Sequence, residues 1–308
     1  MKKKTPAFPK KDHHYKAYWN EITELPWEWN HLFTYGWTAD ENTWTEPNGV
    51  ERLEKLIKYK GQDFVIAKQR GFISKDNKVV PLVYKMDSHG FRVFDNHKEK
   101  ESIAVLGCSD TFGVGLFKEQ TWAFNLGLKT EKPVWNFGIP GASMHLNYEV
   151  LLNHLDGKNI TDLFWLIPDC RRTNLVIFNQ ESKCYERLQV GANRVPRTIK
   201  KTKLASEDQN FTTLDYFDSL RVSETKVYVD QMMIIDAVEN LCRNRNITLH
   251  QVLNPFYLNH KVIQEHLRTN NRYLKVDRYE KAYDDSHLGV PFHEQVTEYF
   301  YHMFKNKQ

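Results

Sequence analysis

The sequence lacks an uninterrupted apolar run of about 18 residues, the length that indicates a membrane-spanning helix. Its four cysteines include no CxxC pair, which is typical of a reducing compartment rather than of a disulfide scaffold. The 43 Lys and Arg residues are nearly balanced by 39 Asp and Glu residues, and the formal net charge of +4 indicates no nucleic-acid-binding surface. No apolar segment follows the basic start "MKKKTPAFPKKDHHYK", so we expect no secretory signal and a cytoplasmic location.

The composition is that of a folded protein with a sizeable core. Of 308 residues, 41% are hydrophobic and 13% aromatic, which suits one large or two small domains. The pattern changes near residue 100, so we divide the chain into an aromatic-rich extension or lid at 1–100 and a main domain at 101–308. Exposed indoles of the extension could stack on sugar rings, but we favour their burial as packing. These indoles belong to Trp19, Trp27, Trp29, Trp37 and Trp44.

Strands and helices alternate after residue 101. The apolar runs "SIAVL", "PVWNF", "DLFWLI" and "ITLHQVL" are typical of buried strands. Helical spacing of apolar residues predicts helices around "EQTWAFNLG", over 144–155, over 228–245 and from about His293. In the second of these helices, the predicted apolar face consists of Met144, Tyr148, Leu151, Leu152 and Leu155.

This alternation predicts an α/β fold in which a mainly parallel sheet lies between two layers of helices, with an irregular N-terminal extension. Ligands of such sheets bind at the carboxyl ends of the strands. The segments 168–227 and 254–283 are too long for ordinary connections, so we interpret them as insertions around the mouth of a site.

The first strand ends abruptly in "IAVLGCSDTFGVGL". Ser109 follows Gly107, and two further glycines follow it, so its hydroxyl can project from a tight turn beside backbone N–H groups. An exposed nucleophile with an oxyanion donor needs this arrangement. A Ser-Asp pair that caps a short helix is the alternative interpretation.

Two further segments carry residues that could act with Ser109. "NFGIPGAS" follows the next strand, and its glycines could bring a backbone N–H to the same edge of the sheet. "DDSHLG" lies just before the last helix, where Asp284 could orient the imidazole of His287. A serine nucleophile needs such a base, and the base needs a partner that fixes its tautomer.

These three segments, in this order, resemble the conserved blocks of the SGNH or GDSL hydrolases, over roughly residues 100 to 308. The upstream "DSHGFRVFD" is similar to a segment that often precedes the first block. The resemblance implies a flavodoxin-like three-layer sandwich, with Ser109 as nucleophile, His287 as general base and Asp284 as its partner. Asp285 is the competing carboxylate. Backbone N–H groups of Ser109 and Gly141 would form part of the oxyanion hole.

The sequence departs from the family at two positions. Cys108 replaces the usual aspartate, a form similar to a subgroup with phage and marine bacterial members. In the third block, Asp169 stands where the family has an asparagine that donates to the oxyanion. The missing donor could be Arg171, Arg172 or Asn174.

We therefore expect a serine esterase that hydrolyses acyl esters and needs no metal or organic cofactor. An O-acetylated carbohydrate is the first substrate expected, and a lipid or small ester the second. A catalytically weak carbohydrate-binding or phage structural module, associated with the virion, is one alternative. An acyltransferase with the same triad is the other, and we expect neither a nucleic acid nor a membrane as partner.

Overall fold

The computed structural model describes residues 43–46, 48–87, 89–94, 101–170, 172–179, 184–190, 224–254, 261–267 and 280–306. Four of the five tryptophans assigned to the extension lie outside these ranges, and the side chain of the fifth, Trp44, is not described. No helix within these ranges is long and apolar enough to cross a membrane.

Helices and strands alternate along most of the described chain. The strands are β1 (Thr43–Thr45), β2 (Val83–Lys85), β3 (Ser102–Gly107), β4 (Val134–Gly138), β5 (Ile160–Ile167), β6 (Thr173–Asn179), β7 (Cys184–Val190) and β8 (Thr248–Leu253). The helices are α1 (Val50–Tyr59), α2 (Gln62–Gln69), α3 (Ser109–Phe112), α4 (Trp122–Thr130), α5 (Met144–His154), α6 (Glu224–Asn244), α7 (Lys261–His266) and α8 (Val290–Lys305).

The central sheet has four parallel strands in the order β4-β3-β5-β8. One face packs on α5 and α6 and the other on α4 and α8, which confirms the predicted α/β fold with a layer of helices on each face. Successive residues of β3 point to opposite faces of the sheet, and all of them are buried because both faces are covered. Ala104 and Leu106 contribute to one cluster, and Ile103 and Val105 to the other.

The structure corrects the predicted apolar face of α5. Leu151 is completely buried, whereas Leu152 is 44% exposed. The buried face is rotated toward Leu146 and Val150, which contact the same cluster as Leu151. Spacing alone did not separate the two because positions i+7 and i+8 both belong to the apolar stripe of an amphipathic helix, at its opposite edges.

Two further differences concern element boundaries. The last helix begins at Val290 rather than at about His293, because Gly289 is its N-cap and Pro291 lies in its first turn. The first predicted insertion contains an antiparallel hairpin, β6–β7, for which we predicted no element. Residues 171, 180–183 and 191–223 of that insertion lie outside the described ranges.

The extension has regular elements of its own. Helices α1 and α2 and the antiparallel pair β1–β2 lie within residues 43–94. Their apolar side chains share a third core cluster with the segment after β3 and with residues 282–283. Members of this cluster from the three segments include Leu53, Tyr84, Phe112, Leu116 and Tyr283. The extension therefore packs against two segments at the carboxyl edge of the sheet.

Truncation of the two neighbouring leucines of α5 tests the corrected face. We expect Leu151→Ala to lower the free energy of unfolding by about 2–5 kcal/mol, because it leaves a cavity in the core. Leu152→Ala is the matched control and should change it by less than about 1 kcal/mol. Urea denaturation followed by circular dichroism measures both, and equal losses would contradict the assignment.

Candidate active site

Ser109 is the first residue of α3, two positions after the end of β3. The Gly107 carbonyl at the end of that strand accepts hydrogen bonds from Asn147 Nδ2 at 3.1 Å and from Ile139 N at 3.2 Å. A Cβ on Gly107 would overlap the Thr111 hydroxyl and lie 2.7 Å from the Leu166 carbonyl oxygen. The turn before the serine thus has no space for a side chain.

The backbone N–H groups predicted for the oxyanion hole are those of Ser109 and Gly141. Within the described residues, neither group donates to a protein acceptor. Gly141 has φ +77°, a left-handed conformation that suits glycine. Two residues later, Ser143 caps α5 by accepting from Leu146 N at 3.2 Å, so this segment is also a helix start. The part of the chain that the structure describes leaves both N–H groups unused, and their role in the oxyanion hole stays a prediction.

Asp284 and His287 form a short hydrogen bond. The distance from Asp284 Oδ2 to His287 Nδ1 is 2.6 Å, and Asp284 Oδ1 also accepts the backbone N–H of His287 at 3.3 Å. The competing carboxylate, Asp285, instead pairs with Arg52, with 3.3 Å between Oδ1 and Nε. The structure thus joins His287 to Asp284 and directs Asp285 elsewhere.

The charges of this pair stabilise each other. Burial alone would lower the pKa of His287, but the hydrogen bond to Asp284 and the charges of Asp284, Asp110 and Glu46 outweigh it and raise that pKa above 6.5. Burial would raise the pKa of Asp284, but its hydrogen bonds and the charge of His287 lower it below 3.8. The hydrogen bond and the neighbouring carboxylates therefore stabilise the protonated form of His287 relative to an imidazole in water.

Ser109 and His287 do not form a hydrogen bond with each other in the part of the chain that the structure describes. Ser109 Oγ points instead toward Cys108 Sγ, at 4.0 Å. Catalytic hydrogen bonds often form only when substrate is bound, so the role predicted for Ser109 stays a prediction.

Cys108 is completely buried, in the core cluster that contains Leu106. Burial, followed by the charge of Asp110, raises the pKa of its thiol. The thiolate is the nucleophilic form of cysteine, and this environment disfavours it. These properties disfavour a nucleophilic role for Cys108.

Asp110 is a site residue that we did not predict from the sequence. Its carboxylate is buried, and its Oδ2 accepts a hydrogen bond from Asn254 Nδ2 at 2.7 Å. Its backbone carbonyl accepts from Trp122 Nε1 at 3.1 Å, which fixes the residue from a second side. Burial raises the pKa of Asp110, although the positive charge of His287 and the bond from Asn254 act in the opposite direction. The sequence contained one signal for this contact. Asn254 directly follows the strand β8, and polar residues at that end of a parallel strand belong to the ligand-binding edge.

The structure describes the three candidates for the missing oxyanion donor to different extents. Arg171 lies outside the described residues, and the side chain of Asn174, in β6, is not described. Asp169 is buried just after β5, and its carbonyl accepts the N–H of Arg172 at 3.1 Å. Arg172 Nη1 donates to the Ala142 carbonyl at 3.4 Å, and its charge lowers the pKa values of Cys108 and Asp110. Of the three candidates, Arg172 is the one whose side chain the structure describes, and it lies next to the segment that carries Gly141.

The described residues contain no cluster of three or more His, Cys, Asp and Glu side chains arranged to hold a metal ion. The polar groups gathered at this edge are instead an imidazole, carboxylates, a hydroxyl and backbone N–H groups. Such groups can transfer protons and stabilise an anion. The expectation that no cofactor is needed stays a prediction.

Removal of the Asp110 charge should change the protonation of His287. We expect Asp110→Asn to lower the pKa of His287, because a negative charge that stabilises the imidazolium is lost. Asp285→Asn is the matched control, since that carboxylate is 56% exposed and pairs with Arg52. An NMR titration of the His287 ring measures both variants. An unchanged His287 pKa in Asp110→Asn would contradict the electrostatic contact.

Comparison with known proteins finds distant structural similarities. No family model and no curated protein sequence matches the chain. Among solved structures, a protein described as lipolytic and of the G-D-S-L family, from Desulfitobacterium hafniense, is 12% identical, with a TM-score of 0.31 over 66% of this chain and 99% of its own. A protein described as a platelet activating factor, from Streptococcus pneumoniae, is 16% identical, with a TM-score of 0.26 over 81% and 94% of the two chains.

Proposed function

We propose that this chain is a serine esterase of the SGNH type, with Ser109 as nucleophile, His287 as general base and Asp284 as its orienting partner. The observation that carries the proposal is the 2.6 Å hydrogen bond between Asp284 Oδ2 and His287 Nδ1, in a loop that contacts the segment following Ser109. A carboxylate on Nδ1 leaves Nε2 as the nitrogen that can take a proton. The order of the three sequence blocks supports the same assignment.

In the proposed reaction, Nε2 of neutral His287 removes the Ser109 hydroxyl proton as Oγ bonds to the ester carbonyl carbon. The carbonyl π electrons move to oxygen, and the N–H groups of Ser109 and Gly141 stabilise that oxyanion. Collapse of the intermediate breaks the bond to the alcohol, which takes the proton from His287. A water molecule then repeats the sequence on the acyl-enzyme, and the carboxylic acid and free serine are released.

Arg172 is our candidate for the donor that the third block lacks. An ionised Asp169 would repel a developing oxyanion, whereas a guanidinium would stabilise it. The support is the position of Arg172 next to Ala142, one residue after Gly141, together with its electrostatic effect on Cys108 and Asp110. The guanidinium would act with the two backbone N–H groups.

Acyl esters are the proposed substrates, with O-acetyl groups on carbohydrate first and lipid or small esters second. The aromatic extension is the basis for this order. An acyltransferase would use the same residues, with a substrate hydroxyl in place of water. A cytoplasmic or virion location stays a prediction.

A non-catalytic binding module with the same fold is the second candidate function. Two observations favour it: Asp169 occupies the position of the donor asparagine, and Ser109 Oγ points toward Cys108 rather than toward His287. Such a module would retain the site as a binding cleft for carbohydrate.

Replacement of the nucleophile tests the proposed reaction. We expect Ser109→Ala to abolish hydrolysis of p-nitrophenyl acetate and labelling by a fluorophosphonate probe, because both require the serine oxygen. Cys108→Ala is the matched control and should keep both reactions, since its thiol is buried and protonated. Equal hydrolysis rates for the wild type and Ser109→Ala would favour the binding module.

Replacement of the candidate donor tests the oxyanion hole. We expect Arg172→Met to lower kcat for p-nitrophenyl acetate by about 100- to 1,000-fold, the usual cost of losing one oxyanion donor. Arg172→Lys should recover part of that loss because it keeps the charge. Arg245→Met is the control, since Arg245 pairs with Asp156 away from this edge. A wild-type kcat in Arg172→Met would assign the donor to another residue.

A further inference from the structure

The turn that follows α3, residues 113–116, is held by a buried arginine. The guanidinium of Arg92 donates to three carbonyl oxygens, those of Phe112 at 3.1 Å, Gly113 at 2.7 Å and Leu116 at 2.8 Å. Only 3% of Arg92 is exposed, and the guanidinium carbon lies 4.6 Å from the centre of the Tyr84 ring. One side chain thus fixes both ends of the turn that begins four residues after Ser109.

The burial of this cation is costly. Burial lowers the pKa of Arg92 to about 10, which leaves it charged at neutral pH. In the described residues, its hydrogen bonds go to carbonyl oxygens and not to a carboxylate. A buried charge without an ion-pair partner is not expected to contribute much to stability. Three directed hydrogen bonds from one guanidinium, however, fix the geometry of the turn that accepts them.

A tyrosine from the extension holds the centre of the same turn. The Tyr84 hydroxyl accepts a hydrogen bond from Gly115 N at 2.7 Å and donates to Glu46 Oε2 at 3.2 Å. Tyr84 is completely buried, and Glu46 is 1% exposed. Burial raises the pKa of Glu46, and the charge of Asp284 raises it further. The hydroxyl is therefore fixed as both an acceptor and a donor.

The turn then contacts the loop that carries the acid and the base. The Gly115 carbonyl accepts a hydrogen bond from Tyr283 N at 2.8 Å. A Cβ on Gly115 would lie 2.6 Å from Asp284 Oδ1 and 2.6 Å from Ala282 Cβ, so the Asp284 carboxylate rests against the glycine. Gly115 has φ +76°, a left-handed conformation that residues with a side chain rarely adopt.

We propose that Arg92 and Tyr84 are positioning residues that hold the 113–116 turn, and that this turn sets Asp284, and through it His287, relative to Ser109. The inference rests on the proposed function for its catalytic consequence. Neither side chain would touch substrate. Their effect passes through Gly115, whose two backbone hydrogen bonds join the extension to the acid–base loop. The extension would therefore be part of the active site rather than a separable lid.

Tyr84→Phe tests the proposal with the loss of one oxygen atom. It leaves Gly115 N without an acceptor and keeps the ring that packs against Phe112 and Arg92. We expect kcat for p-nitrophenyl acetate to fall by about 10- to 100-fold with little change in KM, because a small displacement of the acid–base pair acts on the chemical step. Arg92→Lys, which keeps the charge but not the three-way fork, should show the same pattern.

Leu151→Ala is the control for lost stability. It removes core packing under α5, away from the turn, and should leave kcat per folded molecule unchanged. Hydrogen exchange and NMR give a readout that does not depend on activity: in Tyr84→Phe, the Gly115 and Tyr283 amides should exchange faster, and the downfield Nδ1 proton resonance of His287 should shift. These signals should stay at wild-type values in Leu151→Ala.

The outcomes separate the two proposals. If the wild type neither hydrolyses the ester nor reacts with a fluorophosphonate, the proposed function fails, and the exchange and NMR signals alone decide whether the turn sets the Asp284–His287 pair. If the wild type is active, a wild-type kcat in Tyr84→Phe overturns the positioning role. Unchanged amide exchange and an unchanged His287 resonance overturn it in either case.

Discussion

The hydrogen bond from the Tyr283 backbone N–H to the Gly115 carbonyl joins the two segments on which the candidate site depends. One segment follows β3 and carries Ser109, and the other precedes α8 and carries Asp284 and His287. A parallel sheet brings both segments to its carboxyl edge but does not fix the distance between them. That distance depends on the glycine turn, whose conformation and lack of a side chain allow the Asp284 carboxylate to lie against it.

The electrostatics of the site follow from which charges are buried together. Three carboxylates, those of Asp284, Asp110 and Glu46, act on the imidazole of His287 and raise its pKa despite its burial. Burial raises the pKa values of two of these carboxylates, Asp110 and Glu46, so part of the negative charge can be lost as the pH falls. Asn254 limits the loss of charge from Asp110, because it donates a hydrogen bond that favours the ionised carboxylate.

The sequence predicted those parts of the molecule that are local or periodic. The strands β3 and β5 were evident as apolar runs because both of their faces are covered. Asp284 and His287 were evident as partners because they lie three positions apart. The contacts of Asp110 with Asn254 and of Tyr84 with Gly115 join residues 144 and 31 positions apart, and no short motif records such pairs. The exposed side of α5 was missed for another reason, since Leu151 and Leu152 are equally apolar and packing alone distinguishes them.

The extension also holds the acid–base loop through Arg52, which donates to the Ala282 carbonyl across 230 positions of the chain, and through Arg70, which pairs with Glu280 across 210. Contacts of such separation close large loops, and the entropy of closure is lost before any packing is gained. During synthesis, residues 48–94 leave the ribosome long before their partners at 280–285 exist. The nascent chain would therefore present unpaired Arg52 and Arg70 side chains and a partly exposed third core until residues 280–285 are made, and such exposed apolar surface is what chaperones bind.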